Sequence, residues 1–167
     1  MSQLNRVMSV YYDGYKNNGS TAIDADLSVG ACVCTVEGAS SIHEETGLQR
    51  VTRPETANLT RAKKYIVADS SNLLNVNSIP DTSGAPTKRK GGVIQVWNPA
   101  HPDNAEVLAL VASNVAAGDS LIATNDSFSL SDAGTLDAAI LNHSIVGVAR
   151  EDSSSATTPK IVSLYAQ

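Results

Sequence analysis

The chain has 167 residues, of which 42% are hydrophobic but only 4% are aromatic. This length suits a single domain whose core is built mainly from Val, Ile, Leu and Ala. The formal net charge of −5 disfavours binding to nucleic acid and to anionic membranes. No run approaches the roughly 18 apolar residues of a membrane span, and the first residues lack the apolar stretch of a signal peptide, so we expect synthesis in a cytoplasm.

The first predicted element lies within residues 1–12, which form either an N-terminal arm or a first strand, because Arg6–Tyr12 partly alternates before Asp13 and Gly14. We expect residues 13–167 to form one β-rich domain. Its next strand is Ala31–Val36, which contains both cysteines of the chain, Cys32 and Cys34. On a strand these two side chains share one face, where two small buried apolar groups are favoured over a strained disulfide or a metal site.

The middle of the chain alternates between polar and apolar stretches. Residues 40–58 and 70–90 are rich in polar residues, glycine and proline, and both are predicted to be long loops. Between them, the apolar residues at the end of Leu59–Ala68 predict a strand with a charged entry. Val93–Trp97 predicts another strand, which Asn98 and Pro99 end.

In the last third, residues 105–116 fit a helical and an alternating pattern equally well, so helix and strand both stay open there. Leu136–Leu141 is predicted to be a short helix capped by Thr135. Three short β-like runs, bounded by turn residues, cover 117–123, 143–152 and 160–165. The whole pattern indicates an all-β fold, a small barrel or sandwich with one or two short helices.

The sequence contains no recognisable catalytic motif. It lacks a Gly-x-Ser-x-Gly elbow, a Walker pattern and a pair of histidines at helical zinc-site spacing. Most carboxylates stand beside Gly, Ser or Asn, as surface turn residues do. We therefore expect a protein that is not an enzyme, with no catalytic, cofactor-binding or metal-binding residues.

Three features of the last third carry a resemblance to a known family. They are the Ala117-Gly118-Asp119-Ser120 turn with its apolar continuation, the run Ile145-Val146-Gly147-Val148-Ala149, and the terminal strand Lys160–Tyr165. In this order they resemble the decoration, or cement, proteins of tailed bacteriophage heads, over Val115–Gln167. The resemblance implies a homotrimer on the outer capsid surface that binds the major capsid protein and stabilises the head. It also implies synthesis in the host bacterial cytoplasm and no cofactor, nucleic acid or membrane partner.

Candidate contact residues follow from three features. An arm can add a strand to an exposed sheet edge, and the basic cluster beside Gly91 can meet an acidic partner surface or lie at a solvated hairpin tip. Trp97 is either a core residue or an interface anchor. The candidate residues for capsid or subunit contact are Val7, Val10, Tyr11, Tyr12, Lys88, Arg89, Lys90 and Trp97.

Two other functions compete with the decoration role. A carbohydrate- or host-surface-binding β-module of a virion requires exposed aromatic residues, and the chain has only one Trp, one Phe and five Tyr. An enzyme of unknown type requires a deep pocket holding two carboxylates or a histidine with a perturbed pKa.

Overall fold

The computed structural model describes residues 5–14, 27–38, 41–55, 59, 62–70, 73–80, 86–135 and 145–165. Its fold is dominated by β-strands, as the sequence predicts. The strands are β1 (Val7–Tyr12), β2 (Cys32–Thr35), β3 (Arg50–Thr52), β4 (Lys64–Asp69), β5 (Leu73–Pro80), β6 (Pro86–Trp97), β7 (Val107–Ala109), β8 (Ser120–Ile122), β9 (Ser131–Asp132), β10 (Ile145–Ala149) and β11 (Lys160–Leu164).

Five of these strands close into a small barrel. Their order is β1-β3-β2-β4-β6, and pairing between β1 and β6 closes the ring. The β1–β3 pair is parallel and the other pairs are antiparallel. Because alternate residues of a strand point to opposite faces, one set fills the interior. The buried interior residues are Val10, Tyr12, Leu27, Ala31, Val33, Val51, Val67, Ile94 and Val96.

A second, five-stranded antiparallel sheet has the order β7-β11-β10-β8-β9. Its inner face packs against the outer wall of the barrel. Cys32 and Ile66 of that wall belong to the same buried cluster as Leu121, Val146 and Val162 of the second sheet. Backbone hydrogen bonds also join the two units, for example from the amide of Leu110 to the carbonyl of Gly30 at 2.8 Å.

The prediction of a long loop over residues 70–90 was wrong. Strands β5 and β6 form a long antiparallel hairpin, with the register running from Leu73 opposite Gly92 to Pro80 opposite Pro86. The β1–β6 register stops at Gly92. The part of β6 before Gly92 therefore pairs with β5 alone within the described residues. We call Leu73–Pro80 together with Pro86–Gly91 the projecting hairpin.

The long loop predicted over residues 40–58 is also partly wrong. Arg50–Thr52 forms barrel strand β3, and Ile42 and Gln49 bridge across a tight turn before it. β3 is short and polar at its ends, so its local composition does not predict a strand.

In the ambiguous stretch 105–116, the helical alternative is wrong, because Val107–Ala109 is strand β7. The helical elements within the described residues are two short 3₁₀ turns, Pro102–Asn104 and Ala133–Thr135. The second turn ends at the predicted helix cap Thr135, and the predicted helix Leu136–Leu141 lies outside the described residues.

The cysteines agree with the sequence interpretation. Cys32 and Cys34 are both fully buried, and neither forms a disulfide.

Candidate binding surfaces

The first predicted contact segment is a wall of the barrel. β1 pairs with β6 over its whole length and with β3 at Tyr11 and Tyr12, so it is the first strand and not an arm free to reach another protein. Val10 and Tyr12 are 3% and 0% exposed. Both were wrong as contact residues, because strand alternation turns them into the barrel interior.

Val7, Ser9 and Tyr11 lie on the opposite face of β1, whereas Met8 packs against the barrel interior on the same face as Val10 and Tyr12. Val7 is partly exposed, and the ring of Tyr11 stacks on His43 with centroids 3.6 Å apart and planes 9° apart. The stacked pair connects β1 to the turn that precedes β3. Through this stacking, Tyr11 holds the turn before β3 against the outer wall of the barrel.

Trp97 is the last residue of β6, and its side chain packs against residues of its own chain. Its partly buried ring packs against the cluster shared by the barrel and the second sheet. On the other side, the guanidinium of Arg6 lies 5.1 Å from the ring centroid. This cation–π contact leaves Trp97 with neighbours from its own chain, as the core alternative predicts.

The basic cluster lies along the projecting hairpin and not at its tip. Lys88, Arg89 and Lys90 are strand residues of β6, in register with Asn77, Val76 and Asn75 of β5. The two hairpin strands carry three of the chain's twelve cationic residues and none of its seventeen acidic residues. The hairpin is therefore cationic although the chain as a whole is acidic.

Where β2 ends and β3 and β4 begin, a cleft of about 510 Å³ opens at one end of the barrel. We call it the barrel-end cleft. Its lining residues come from three separate stretches of the chain, and they are Thr35, Val36, Glu37, Gly38, Ser41, Gln49, Lys63 and Tyr65.

Hydrogen bonds fix the polar rim of the barrel-end cleft. The hydroxyl of Thr35 donates to Oε1 of Glu37 at 3.1 Å and accepts from the backbone amide of Lys63 at 3.1 Å. Gln49 donates from Nε2 to the carbonyl of Ser41 at 2.8 Å. Tyr65 packs against the barrel core, and its burial raises the pKa of the phenol. The rim is thus held by the chain itself before any ligand arrives.

A second cleft, of about 680 Å³, lies beside the start of β1 at the same end of the barrel. Its lining residues are Asn5, Arg6, Val7, Met8, Ser9, Leu48, Gln95 and Asn98. Leu48 lines this cleft and the adjacent Gln49 lines the barrel-end cleft, so the turn before β3 separates the two.

A lysine and two thiols meet on the barrel wall. Lys64 is 3% exposed and stands opposite Cys34 in the β2–β4 register. Burial lowers the pKa of Lys64, whereas a hydrogen bond with Cys34, together with burial, raises the pKa of the Cys32 thiol. A thiol held protonated is a poor nucleophile and a poor metal ligand. Cys32 instead belongs to the buried cluster beneath the second sheet.

Within the described ranges, no three His, Cys, Asp or Glu side chains come together as a possible metal site. The same part of the chain has no helix long and apolar enough to cross a membrane.

Sequence reasoning missed the barrel-end cleft. In the sequence, Glu37 and Gly38 indicate only where the strand Ala31–Val36 ends. Lys63 indicates only a charged residue before the next strand. These residues meet because the barrel closes, and a local pattern gives no signal for such a meeting.

Searches of protein-family models, of curated proteins and of solved structures find no match to this chain.

Proposed function

We propose that this protein is a structural component of a bacteriophage virion that binds the outside of the capsid and bridges neighbouring capsid subunits. The observation that carries the proposal is the projecting hairpin. It offers the two means of protein attachment that the sequence already suggested, a strand edge and a basic cluster, in one element.

The geometry of the hairpin suits attachment. Eight residues of β5 span about 25 Å at about 3.3 Å per residue. In the projecting hairpin, the edge of each strand that faces away from the other strand has no partner strand among the described residues. Such an edge adds a strand of another protein through main-chain hydrogen bonds. Lys88, Arg89 and Lys90 on the same element favour an acidic partner surface.

The resemblance to decoration proteins supports the same function. It covers Val115–Gln167, and strands β8 to β11 of the second sheet fall within this range. In this proposal the second sheet is the part shared with decoration proteins, and the barrel with its hairpin is the addition that reaches the shell.

A subunit interface fits the outer face of the second sheet. Leu108 and Ile161 stand opposite each other in the β7–β11 register and are 52% and 39% exposed. Tyr165, just after β11, is 47% exposed. Adjacent exposed apolar side chains favour burial against another protein, and the partner that we propose is a further copy of this chain in a homotrimer.

Reinforcement then follows from linkage. Several copies of one hairpin in a single trimer bind together more strongly than one alone, because the first attachment raises the effective concentration of the others. A protein that binds only the assembled shell stabilises that shell by mass action.

The test mixes purified protein with undecorated phage heads and measures saturable binding and heat resistance of the heads. We expect Lys88→Glu with Lys90→Glu to weaken binding at least tenfold. A charge-matched control outside the projecting hairpin and outside residues 105–167, Lys16→Glu with Lys63→Glu, should change it less than twofold. Absence of binding by the unaltered protein, or equal loss in both double variants, would refute the proposal. Sedimentation of the free protein as a monomer would refute the trimer.

A further inference from the structure

We propose that the barrel-end cleft binds a neutral saccharide. The inference is independent of the capsid-binding role, because the cleft and the projecting hairpin use different parts of the barrel. Among the described residues, those that line the cleft and those that form the projecting hairpin are different.

Three polar groups of the cleft have hydrogen-bonding capacity left over. Glu37 accepts the Thr35 hydroxyl through Oε1, and its Oε2 has no partner within the described residues. The ammonium group of Lys63 and the phenol hydroxyl of Tyr65 likewise have none in the described part of the chain. An acceptor, a donor and a group that can do both thus line one cavity.

The charges in the cleft favour a neutral ligand. An anion attracted by Lys63 meets the carboxylate of Glu37. A cation attracted by Glu37 meets the ammonium of Lys63 and the charge of Lys64, which also interacts with Glu37. A sugar hydroxyl both donates and accepts, so neighbouring hydroxyls of one ring can satisfy the carboxylate and the ammonium together. Hydrogen bonds to charged groups are stronger than those between neutral groups.

Tyr65 completes the chemistry. Its side chain is partly buried, packs against the barrel interior and also lines the cleft. An aromatic ring has an apolar body and a polar tip. The body suits the C–H face of a pyranose, while the hydroxyl bonds to a sugar oxygen.

Size and rigidity also agree with a small-molecule site. A volume of about 510 Å³ lies within the usual range for ligand pockets, about 300–1,000 Å³, and barrel mouths are common places for them. The bonds from Thr35 to Glu37 and from Gln49 to Ser41 hold the rim in place, so little ordering cost is left for binding.

The test is a glycan array that includes neutral hexose and N-acetylhexosamine oligosaccharides, followed by calorimetric titration of the best one. We expect saturable binding by the unaltered protein. Glu37→Gln should weaken it at least tenfold, and Tyr65→Phe should weaken it about fivefold, the loss of one hydrogen bond. The control Gln95→Ala, in the neighbouring cleft, should change the affinity less than twofold.

Thermal unfolding shows whether each variant still folds, and Glu37→Gln retains the oxygen that accepts from Thr35. Absence of binding to every neutral glycan would overturn the proposal, as would equal binding by Glu37→Gln or a loss as large in Gln95→Ala. Preference for a free amino acid over all sugars would also overturn it. Because no phage head is present, these outcomes are separate from the test of capsid binding.

Discussion

The barrel and the second sheet differ in where they bury their apolar side chains. The barrel closes on itself, and residues such as Val33 and Ile94 fill an interior enclosed by its own strands. The second sheet is open and buries its inner face on Cys32 and Ile66 of the barrel wall. Leu110, just after β7, and Phe128, between β8 and β9, also pack against the barrel core. Each region therefore contributes to the burial of the other, and the second sheet buries its inner face against the barrel wall.

The largest expected effect tests the second sheet at its tightest contact. Gly147 of β10 lies between β8 and β11, and a Cβ there would overlap the carbonyl oxygen of Ser163. Gly147→Ala should therefore destabilise the protein by about 3 kcal/mol or more, as overpacking does, measured by urea unfolding. The control is Gly118→Ala, where φ is 96° and no atom lies within 4 Å of the new Cβ. It should cost only about 1 kcal/mol. Equal effects of the two changes would contradict the close approach.

The next prediction separates the shared core from the barrel interior. Ile66→Ala removes a contact with the second sheet, and Ile94→Ala removes one inside the barrel. Each should cost about 3 kcal/mol. Because the shared core couples the two units, fluorescence of Trp97 and far-ultraviolet circular dichroism should report one common transition. Separate transitions would break the comparison, since they would mean that the second sheet unfolds without the barrel.

A loss of stability of similar size should occur at alkaline pH, and it comes from Tyr12 in the barrel interior. Burial raises the pKa of Tyr12 to about 12, against the opposing influence of Arg53. The folded state therefore holds the proton more tightly than the unfolded state, whose pKa is about 10. Stability is unaffected below pH 10 and falls by about 3 kcal/mol as the pH rises from 10 to 12.

Tyr12→Phe, measured beside the unaltered protein, should remove this part of the alkaline loss. At pH 7 the two proteins should differ by less than about 1 kcal/mol, because the Tyr12 hydroxyl has no hydrogen-bond partner within the described residues. Parallel stability curves from pH 10 to 12 would show that the phenol is not held protonated.

The smallest expected effect concerns an ion pair that joins the two regions. Arg53, just after β3, donates to Asp126, between β8 and β9, at 2.9 Å. Asp126 is 53% exposed in its side chain, so solvent screens the pair. Asp126→Asn tolerates the local φ of 56° and should cost about 0.5 kcal/mol. A loss of several kcal/mol in urea unfolding would mean that this pair, and not the shared core, holds the second sheet in place.

The sequence predicts those strands that have an apolar alternation of their own. Val7–Tyr12, Cys32–Thr35, Ile145–Ala149 and Lys160–Leu164 all fall where local pattern places them. The local sequence pattern does not predict strands β3 and β5. Asn75, Asn77 and Pro80 give β5 the composition of a loop, and pairing with β6 supplies the order that its own propensities do not.

The candidate sites were harder to predict because they too depend on how distant strands pair. The cationic cluster could be read from consecutive residues, but its place along a strand could not. The barrel-end cleft depends on Glu37, Gln49 and Lys63, which are distant in sequence and meet only through strand register. A single sequence records composition, while register is a property of the completed sheet.

The closure of the barrel by its first and last strands has a consequence for biosynthesis. Val7 pairs with Trp97 and Tyr12 with Gly92, so β1 must remain without its main partner until residue 97 has left the ribosome. Contacts between such distant residues make folding slow. During translation the edge of β1 that later pairs with β6 is therefore open to pairing with other chains.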